Sequence, residues 1–246
     1  MLSGLYRFAL ARGLVEHSPL PRVIPKPTGP AFVPCIYSLE ELKGLLDAVP
    51  AACAGRVPIE PQVFRTLLLV LYGSALRIGE ALALRLVDVD LDDGCLNIRE
   101  TKFFKYRLVP LGKDLSGVLT AFIAARAQQL GVVREGPLFC FRDGAPVSPS
   151  AIRSAFRRVR MYAKVGREGG ARRQPRLHDL RHSAAVHRLI AWYRCGADLQ
   201  DLLPKLATYL GHVDLSATQR YLTMTPELLR QASLRFEHYF TGGNYD

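Results

Sequence analysis

Val87-Asp88-Val89-Asp90-Leu91-Asp92-Asp93-Gly94-Cys95-Leu96-Asn97-Ile98-Arg99 is the stretch in which the period of the chain changes. From Val87 to Leu91 apolar and polar residues alternate, the two-residue period of a strand with one buried face. Asp93-Gly94 signals a hairpin turn, because glycine enters positive φ without a steric penalty. Cys95 to Arg99 reads as the returning strand, and Arg107 to Leu111 as a third short one. The expectation is a small three-stranded antiparallel sheet over residues 87–111.

Outward from this sheet the pattern is helical in both directions. Upstream, Ser38-Leu39-Glu40-Glu41 has the spacing of a capping box opening a helix to about Val49. Pro61 suits the first position of a second helix to about Tyr72, and a third covers Ile78 to Leu86. Downstream, helices are expected over 114–130, 149–165, 178–194, 198–210 (kinked or restarted at Pro204) and 226–240. Ser148 and Pro149 form the start signal of the second of these. The fold class is mainly α with a small three-stranded antiparallel sheet. At the front, Leu2, Leu5, Tyr6, Ala9 and Leu10 share one side of a helix over residues 2–14. Six prolines between residues 18 and 34 then exclude helix and central strand, so this stretch reads as a semi-extended linker.

The chain has 246 residues, 49% of them hydrophobic and 22% charged, a globular composition with room for an ordinary core. Its longest clean apolar run, Leu67 to Tyr72, is far shorter than the ~20 residues of a membrane span. The first residues lack a basic region followed by an unbroken apolar one, so no signal peptide is expected. Five scattered cysteines without a CxxC pair argue against a disulfide framework and a structural zinc site. The expected location is the cytoplasm. The net charge of +11 is concentrated: residues 153–181 hold ten Lys/Arg against two acidic residues, while residues 182–246 hold six of each. Such a stripe is the electrostatic footprint of a polyanion partner.

Four separated pieces carry chemistry. Ala75-Leu76-Arg77-Ile78-Gly79-Glu80 sets Arg77 at a helix start. Thr101-Lys102 lies in the turn before Arg107-Leu108-Val109-Pro110-Leu111. Leu177-His178-Asp179-Leu180-Arg181-His182 opens another helix, and Leu210-Gly211-His212 precedes Tyr221 by nine residues. His178 and His182 have a metal-ligand spacing, but Asp179 stands where the glutamate of HExxH would be, and no acidic cluster accompanies them. Two arginines, a lysine, histidines and a tyrosine instead suit phosphoryl transfer without a metal ion. Guanidinium groups meet the charge growing on the nonbridging oxygens. A tyrosine oxygen can attack and leave a covalent phosphotyrosine once a neighbour takes its proton. A lysine can protonate the leaving oxygen.

In order and spacing the four pieces resemble the tyrosine recombinases of the phage-integrase family, and the resemblance covers about residues 36–240. It implies that Tyr221 is the nucleophile, Arg77 and Arg181 the phosphate clamp, and Lys102 the general acid. It implies His178 as general base, His212 as a hydrogen-bond donor to the phosphate, and Glu80 as support for the first arginine. It implies strand cleavage and rejoining through a 3′-phosphotyrosine, with no cofactor, metal or ATP. Leu5-Tyr6-Arg7-Phe8-Ala9 resembles the last helix of the core-binding half of a DNA clamp. The implied organisation is a truncated remnant of that half over 1–17, a linker over 18–35 and a catalytic domain over 36–246. The separation of His178 from His212 is longer than the resemblance leads one to expect, through an insertion around Trp192 to Pro204.

The basic stripe then gains a purpose. Arg153, Arg157, Arg160 and Lys164 fall on one face of the helix over 149–165 and are expected to meet double-stranded DNA. Arg167, Arg172, Arg173 and Arg176, in the loop that follows, are expected to add phosphate contacts. The implied partners are DNA, at the nucleoid, and further recombinase protomers in a tetrameric synapse, with the last helix exchanged between them and a monomer in the absence of DNA. The competing expectations are a DNA-binding accessory homologue that does not cleave in this form, and a type IB topoisomerase-like activity.

Overall fold

A computed structural model describes residues 2–20, 34–54, 59–99, 106–131, 135–170, 173–212, 214–223 and 226–240. The chain divides into two units, residues 1–33 and 34–246. In the first, α1 (Leu2–Ala11) buries none of its residues. Gly13, at φ 66°, turns the chain out of it.

The second unit opens on α2 (Leu39–Cys53), whose capping box forms as read: Ser38 Oγ accepts from the Glu41 amide at 3.1 Å and Glu41 accepts from the Ser38 amide at 2.9 Å. The helix does not stop at Val49 but runs through Pro50. A proline in a last turn forfeits one backbone bond, and continuation buries Ala52 and Cys53 in the core. Next comes α3 (Pro61–Gly73), with Phe64, Leu67, Leu68, Val70 and Leu71 buried nearly all round. It is the central helix, touching α2, α5 (Lys113–Leu130) and α7 (Asp179–Arg194).

α4 (Ile78–Ala83) ends earlier than expected, and residues Leu86–Asp88 form a 3₁₀ turn. The Asp88 carboxylate imposes it, accepting from the Arg85 amide at 2.9 Å while Arg99 Nε stands 2.6 Å away. The alternation expected from Val87 therefore survives as strand only in β1 (Val89–Asp90). β2 (Cys95–Ile98) and β3 (Arg107–Pro110) complete an antiparallel sheet of order β1-β2-β3, with Asp90 opposite Cys95, Leu96 opposite Val109 and Ile98 opposite Arg107. Leu96, Ile98 and Val109 enter the core, and Leu108, one residue out of phase, is exposed.

α6 (Pro149–Tyr162) starts at the expected Ser148 cap and packs on α2. α7 and α8 (Leu199–Leu210) follow, and the segment from Trp192 to Pro204 comprises the end of α7, a short turn and the start of α8. Two short elements were not anticipated, α9 (Ser216–Gln219) and a 3₁₀ turn over Arg220–Thr223. The chain of described residues closes on α10 (Pro226–Phe240), against α7. The larger hydrophobic core lies among α2, α3, α5, α6 and the sheet. A second, smaller one is formed by Ala185, Val186, Leu189, Leu206, Leu210, Leu228 and Tyr221. No helix among the described residues is long and apolar enough to cross a membrane.

Candidate active site

The site is built around the end of α8. Gly211 terminates the helix in the left-handed conformation, φ 65°, with its amide bonded to Thr208 O and the His212 amide bonded to Ala207 O. This pair of bonds is a Schellman cap, which demands a residue without a Cβ penalty at this point. The last carbonyls of α8 face two guanidinium groups. Arg181 donates to Leu210 O at 2.6 Å and Arg77 to Gly211 O at 3.1 Å. Cations at a helix C-terminus sit at its negative end, so both contacts are electrostatically favourable.

Arg181 belongs to α7. His178 caps that helix, and Arg181 and His182 follow at i+3 and i+4, on the same face. The turn into α7 is held by buried Asp179, which accepts from the Arg176 amide at 2.8 Å and pairs with its guanidinium. Ser183 ties α7 to the start of the unit, donating to Asp179 O and accepting from the Tyr37 amide. Arg181 is 2% exposed and also donates to Ala75 O at 2.5 Å. Ala75 takes a left-handed conformation, φ 51°, between α3 and α4. Such backbone is costly for a residue with a Cβ and marks a position held by its surroundings. Burial and the neighbouring Arg77 push the Arg181 guanidinium down to about 10, still charged at neutral pH.

Arg77 precedes α4 and is anchored by Glu80 one turn later. Its side chain donates to Glu80 Oε1 at 2.8 Å and its amide to Oε2 at 2.9 Å. Although burial favours the neutral acid, Arg107 and Arg77 hold the Glu80 carboxyl down at about 2.

Tyr221 sits on the 3₁₀ turn, only 2% exposed, its ring forming part of the smaller core. Its hydroxyl lies 3.0 Å from His182 Nδ1. His182 in turn meets His178 edge-on, ring centroids 4.8 Å apart. On the other side the Tyr221 ring stacks with His212 at 6.1 Å and 14° between planes. His212 Nδ1 is bonded to the buried Thr218 hydroxyl at 2.7 Å, which orients the imidazole. Burial, reinforced by His178 and Arg181, lowers His182 to about 4, and burial with Arg181 and Arg77 lowers His212 to about 4. Both are therefore neutral at pH 7. Burial raises the Tyr221 phenol, and the Arg181 charge pulls it partly back.

A buried phenol hydrogen-bonded to a neutral imidazole, beside two guanidinium groups, is an arrangement for making an oxyanion next to a bound anion. A match to the phage integrase family spans residues 40–227. The chain belongs to the phage integrase family. Its relatives include the integrase/recombinase y4rB of Sinorhizobium fredii, 38% identical over 208 residues, 83% of this chain and 66% of that one. Tyrosine recombinase XerA of Thermococcus kodakarensis is 31% identical over 206 residues, 84% of this chain and 64% of that one. The chain thus spans about two thirds of the length of these curated relatives. Among solved structures, a XerA recombinase crystal structure shares the fold at TM-score 0.65, with 22% identity over 96% of this chain and 74% of the other. A lambda integrase(75-356) dimer bound to a COC′ core site does so at TM-score 0.63, with 17% identity over 92% and 71%.

Of the residues that the phage-integrase resemblance singled out, Arg77, Glu80, Arg181, His212 and Tyr221 converge, with His178 one ring behind His182. Lys102 lies outside the described residues, as does Arg172. Two members of the cluster were missed. His182 is one; its place four residues after His178, on the same helix face, is the signal that could have found it. Arg107 is the other; it belongs to one of the four pieces, but nothing local in the sequence assigns its side chain to Glu80. The residues of the basic stripe differ in their surroundings. Arg153 and Arg157 are exposed on α6, but Arg160 donates to Gln174 at 2.7 Å. Lys164 lies past the helix end, in a left-handed turn at φ 53°. Arg167 is taken up by a two-pronged pair with Glu41, and Arg176 by Asp179, while Arg173 is exposed and packs over Gly169.

Proposed function

We propose that this chain is the catalytic part of a site-specific DNA recombinase, which cuts and rejoins strands through a 3′-phosphotyrosine. The observation that carries the reading is the Tyr221 hydroxyl at 3.0 Å from His182, with the Arg181 and Arg77 guanidinium groups gathered at the same helix end. In this reading Tyr221 Oη attacks the scissile phosphorus and its proton passes to His182 Nδ1, backed by His178. The bond from phosphorus to the 5′ oxygen breaks, and that oxygen leaves as a hydroxyl with a proton from Lys102. Arg77, Arg181 and His212 meet the nonbridging oxygens, whose charge grows in the transition state. Rejoining is the same path reversed, with the 5′ hydroxyl as nucleophile.

The partners follow from the same chemistry. The substrate is double-stranded DNA, met by Arg153, Arg157 and the loop after α6. Two solved structures of this fold are DNA complexes, a lambda integrase dimer bound to a COC′ core site and a XerH recombinase bound to a palindromic difH substrate. By analogy the working unit is several protomers on DNA in a tetrameric synapse, with α10 exchanged between them. Residues 1–17 act as the last helix of a core-binding half and residues 18–35 as its linker. The site of action is the cytoplasm, at the nucleoid.

The test is covalent capture on nicked suicide DNA, with the native site or a random-site pool. An adduct that survives boiling in detergent and disappears in Tyr221→Phe establishes the chemistry and the nucleophile. Salt-sensitive DNA binding without any adduct would sink the enzymatic reading for this chain. Relaxation of supercoiled plasmid without strand exchange would replace it with a topoisomerase.

A further inference from the structure

Arg107 opens β3, and the reaction as described gives it no task. Its guanidinium is 12% exposed and forks onto Glu80, Nη1 to Oε1 at 3.1 Å and Nη2 to Oε2 at 2.9 Å. With the two donors from Arg77, the Glu80 carboxylate accepts four hydrogen bonds and has no freedom to rotate. The same guanidinium lies flat against the cap of α8: a Cβ on Gly211 would stand 2.8 Å from Nη1 and 2.9 Å from Cζ. Gly211 is the residue whose carbonyl receives Arg77 and whose successor is His212. Arg107 also forms, with Ile98, the last described pair of the β2–β3 ladder, which fixes its backbone against the sheet.

Two guanidinium groups on one buried carboxylate is a poor device for stability. Glu80 and Arg107 are largely withdrawn from water, and Arg107 Nε is buried without a partner among the described residues. Such an arrangement makes sense where the geometry of the outer cation matters. Arg77 is that cation: its side chain is 38% exposed, where Arg107 is covered.

We propose that Arg107 is a positioning residue for the phosphate clamp, fixing Arg77 through Glu80 and the His212 turn through Gly211. It acts through these groups and does not touch the DNA. The proposal rests on the function proposed above.

The experiment compares wild type, Arg107→Gln and Arg107→Lys in single-turnover capture at saturating protein. One nicked substrate carries a normal scissile phosphate and the other a methylphosphonate, which lacks the negative charge the clamp exists to meet. Arg107→Gln should bind DNA with unchanged affinity and capture the phosphate substrate about a hundredfold more slowly, the scale of a misplaced catalytic group. On the methylphosphonate its deficit should shrink to less than about tenfold, because a loosened clamp matters less to a neutral phosphorus. Arg107→Lys, which keeps the charge but cannot fork, should fall between the two, and it carries the comparison should the glutamine variant fail to fold. Equal rates for wild type and variants on phosphate would overturn the proposal. So would an equal deficit on both substrates, which would mean general loosening of the fold. Failure of the underlying reading looks different: wild type itself would form no Tyr221-dependent adduct.

Discussion

His182 shows how one side chain changes meaning with its surroundings. In the folded chain it is neutral, half-buried and bonded to the Tyr221 hydroxyl. Glutamine at this position can keep a hydrogen bond but cannot take a proton. His182→Gln should therefore slow covalent capture by about a hundredfold or more, the usual worth of a positioned base. A substrate with sulfur in place of the leaving 5′ oxygen separates the two ends of the reaction. Sulfur departs without protonation, so it should restore Lys102→Ala and leave His182→Gln slow. Restoration of both variants would mean that His182 serves the leaving group. The same histidines set a pH limit on stability. His182 and His212 titrate near 4 in the fold and near 6.5 when unfolded, so between these values the unfolded chain binds protons that the folded chain does not. Their contribution is complete above about pH 6.5 and is lost as pH falls toward 4. Glu80, held at about 2 against an ordinary 4.5, adds a second loss as pH falls below 4.5. The midpoint of thermal unfolding should be level near pH 7–8 and descend from about pH 6.5. His212→Gln should make the upper part of that descent shallower, and an unchanged slope would contradict the assignment.

At the scale of elements, the decisive piece is the end of α8. A short Schellman cap brings two carbonyls and a glycine into contact with Arg181 of α7, Arg77 at the start of α4 and Arg107 of β3. Gly211→Ala offends twice, by adding a Cβ to a left-handed backbone and by driving it into the Arg107 guanidinium. It should cost about 1–3 kcal/mol by denaturant unfolding and slow capture as well. A variant with wild-type stability and wild-type capture would show that the turn is not under this constraint. The start signals of α2, α3 and α6 were legible because each is a local matter of a cap or a proline at the first turn. The ends were less so. α2 outran its proline because the residues beyond it are buried, and α4 stopped early because Asp88 captured the Arg85 amide.

For the whole molecule, the question is which part of the net charge of +11 is available to a polyanion. Part of the basic stretch is paired within the chain. Arg167 grips Glu41 and Arg160 is bonded to Gln174, so these residues brace α2 and α6 against the loop that follows. Arg153 and Arg157 stand exposed on α6. Alanine at either should reduce the slope of log affinity against log salt by about 0.9, with capture at saturating protein unchanged. Arg167→Ala should leave the salt slope alone and lower the unfolding midpoint instead. If Arg167→Ala weakens the salt dependence and Arg153→Ala does not, the assignment of the two faces is reversed.

The residues by themselves determined the fold class and the small sheet, and they set out the candidate site residues as a set of types in a fixed order. Hydrophobic period, caps and turn glycines are properties of neighbours in the chain, and the spacing of Arg77, His178, Arg181, His212 and Tyr221 is visible without a third dimension. Only the tertiary structure decided which histidine meets the Tyr221 hydroxyl, which arginines face outward and that Arg107 reaches Glu80. Those are matters of distance between α4, β3, α7, α8 and the turn that carries Tyr221. A hydrogen bond of 3.0 Å between residues 182 and 221 depends on how two elements pack, and no local pattern encodes it. Charge obeys the same logic: an arginine in the sequence is a cation, but its partner in the fold determines whether it is left to meet DNA.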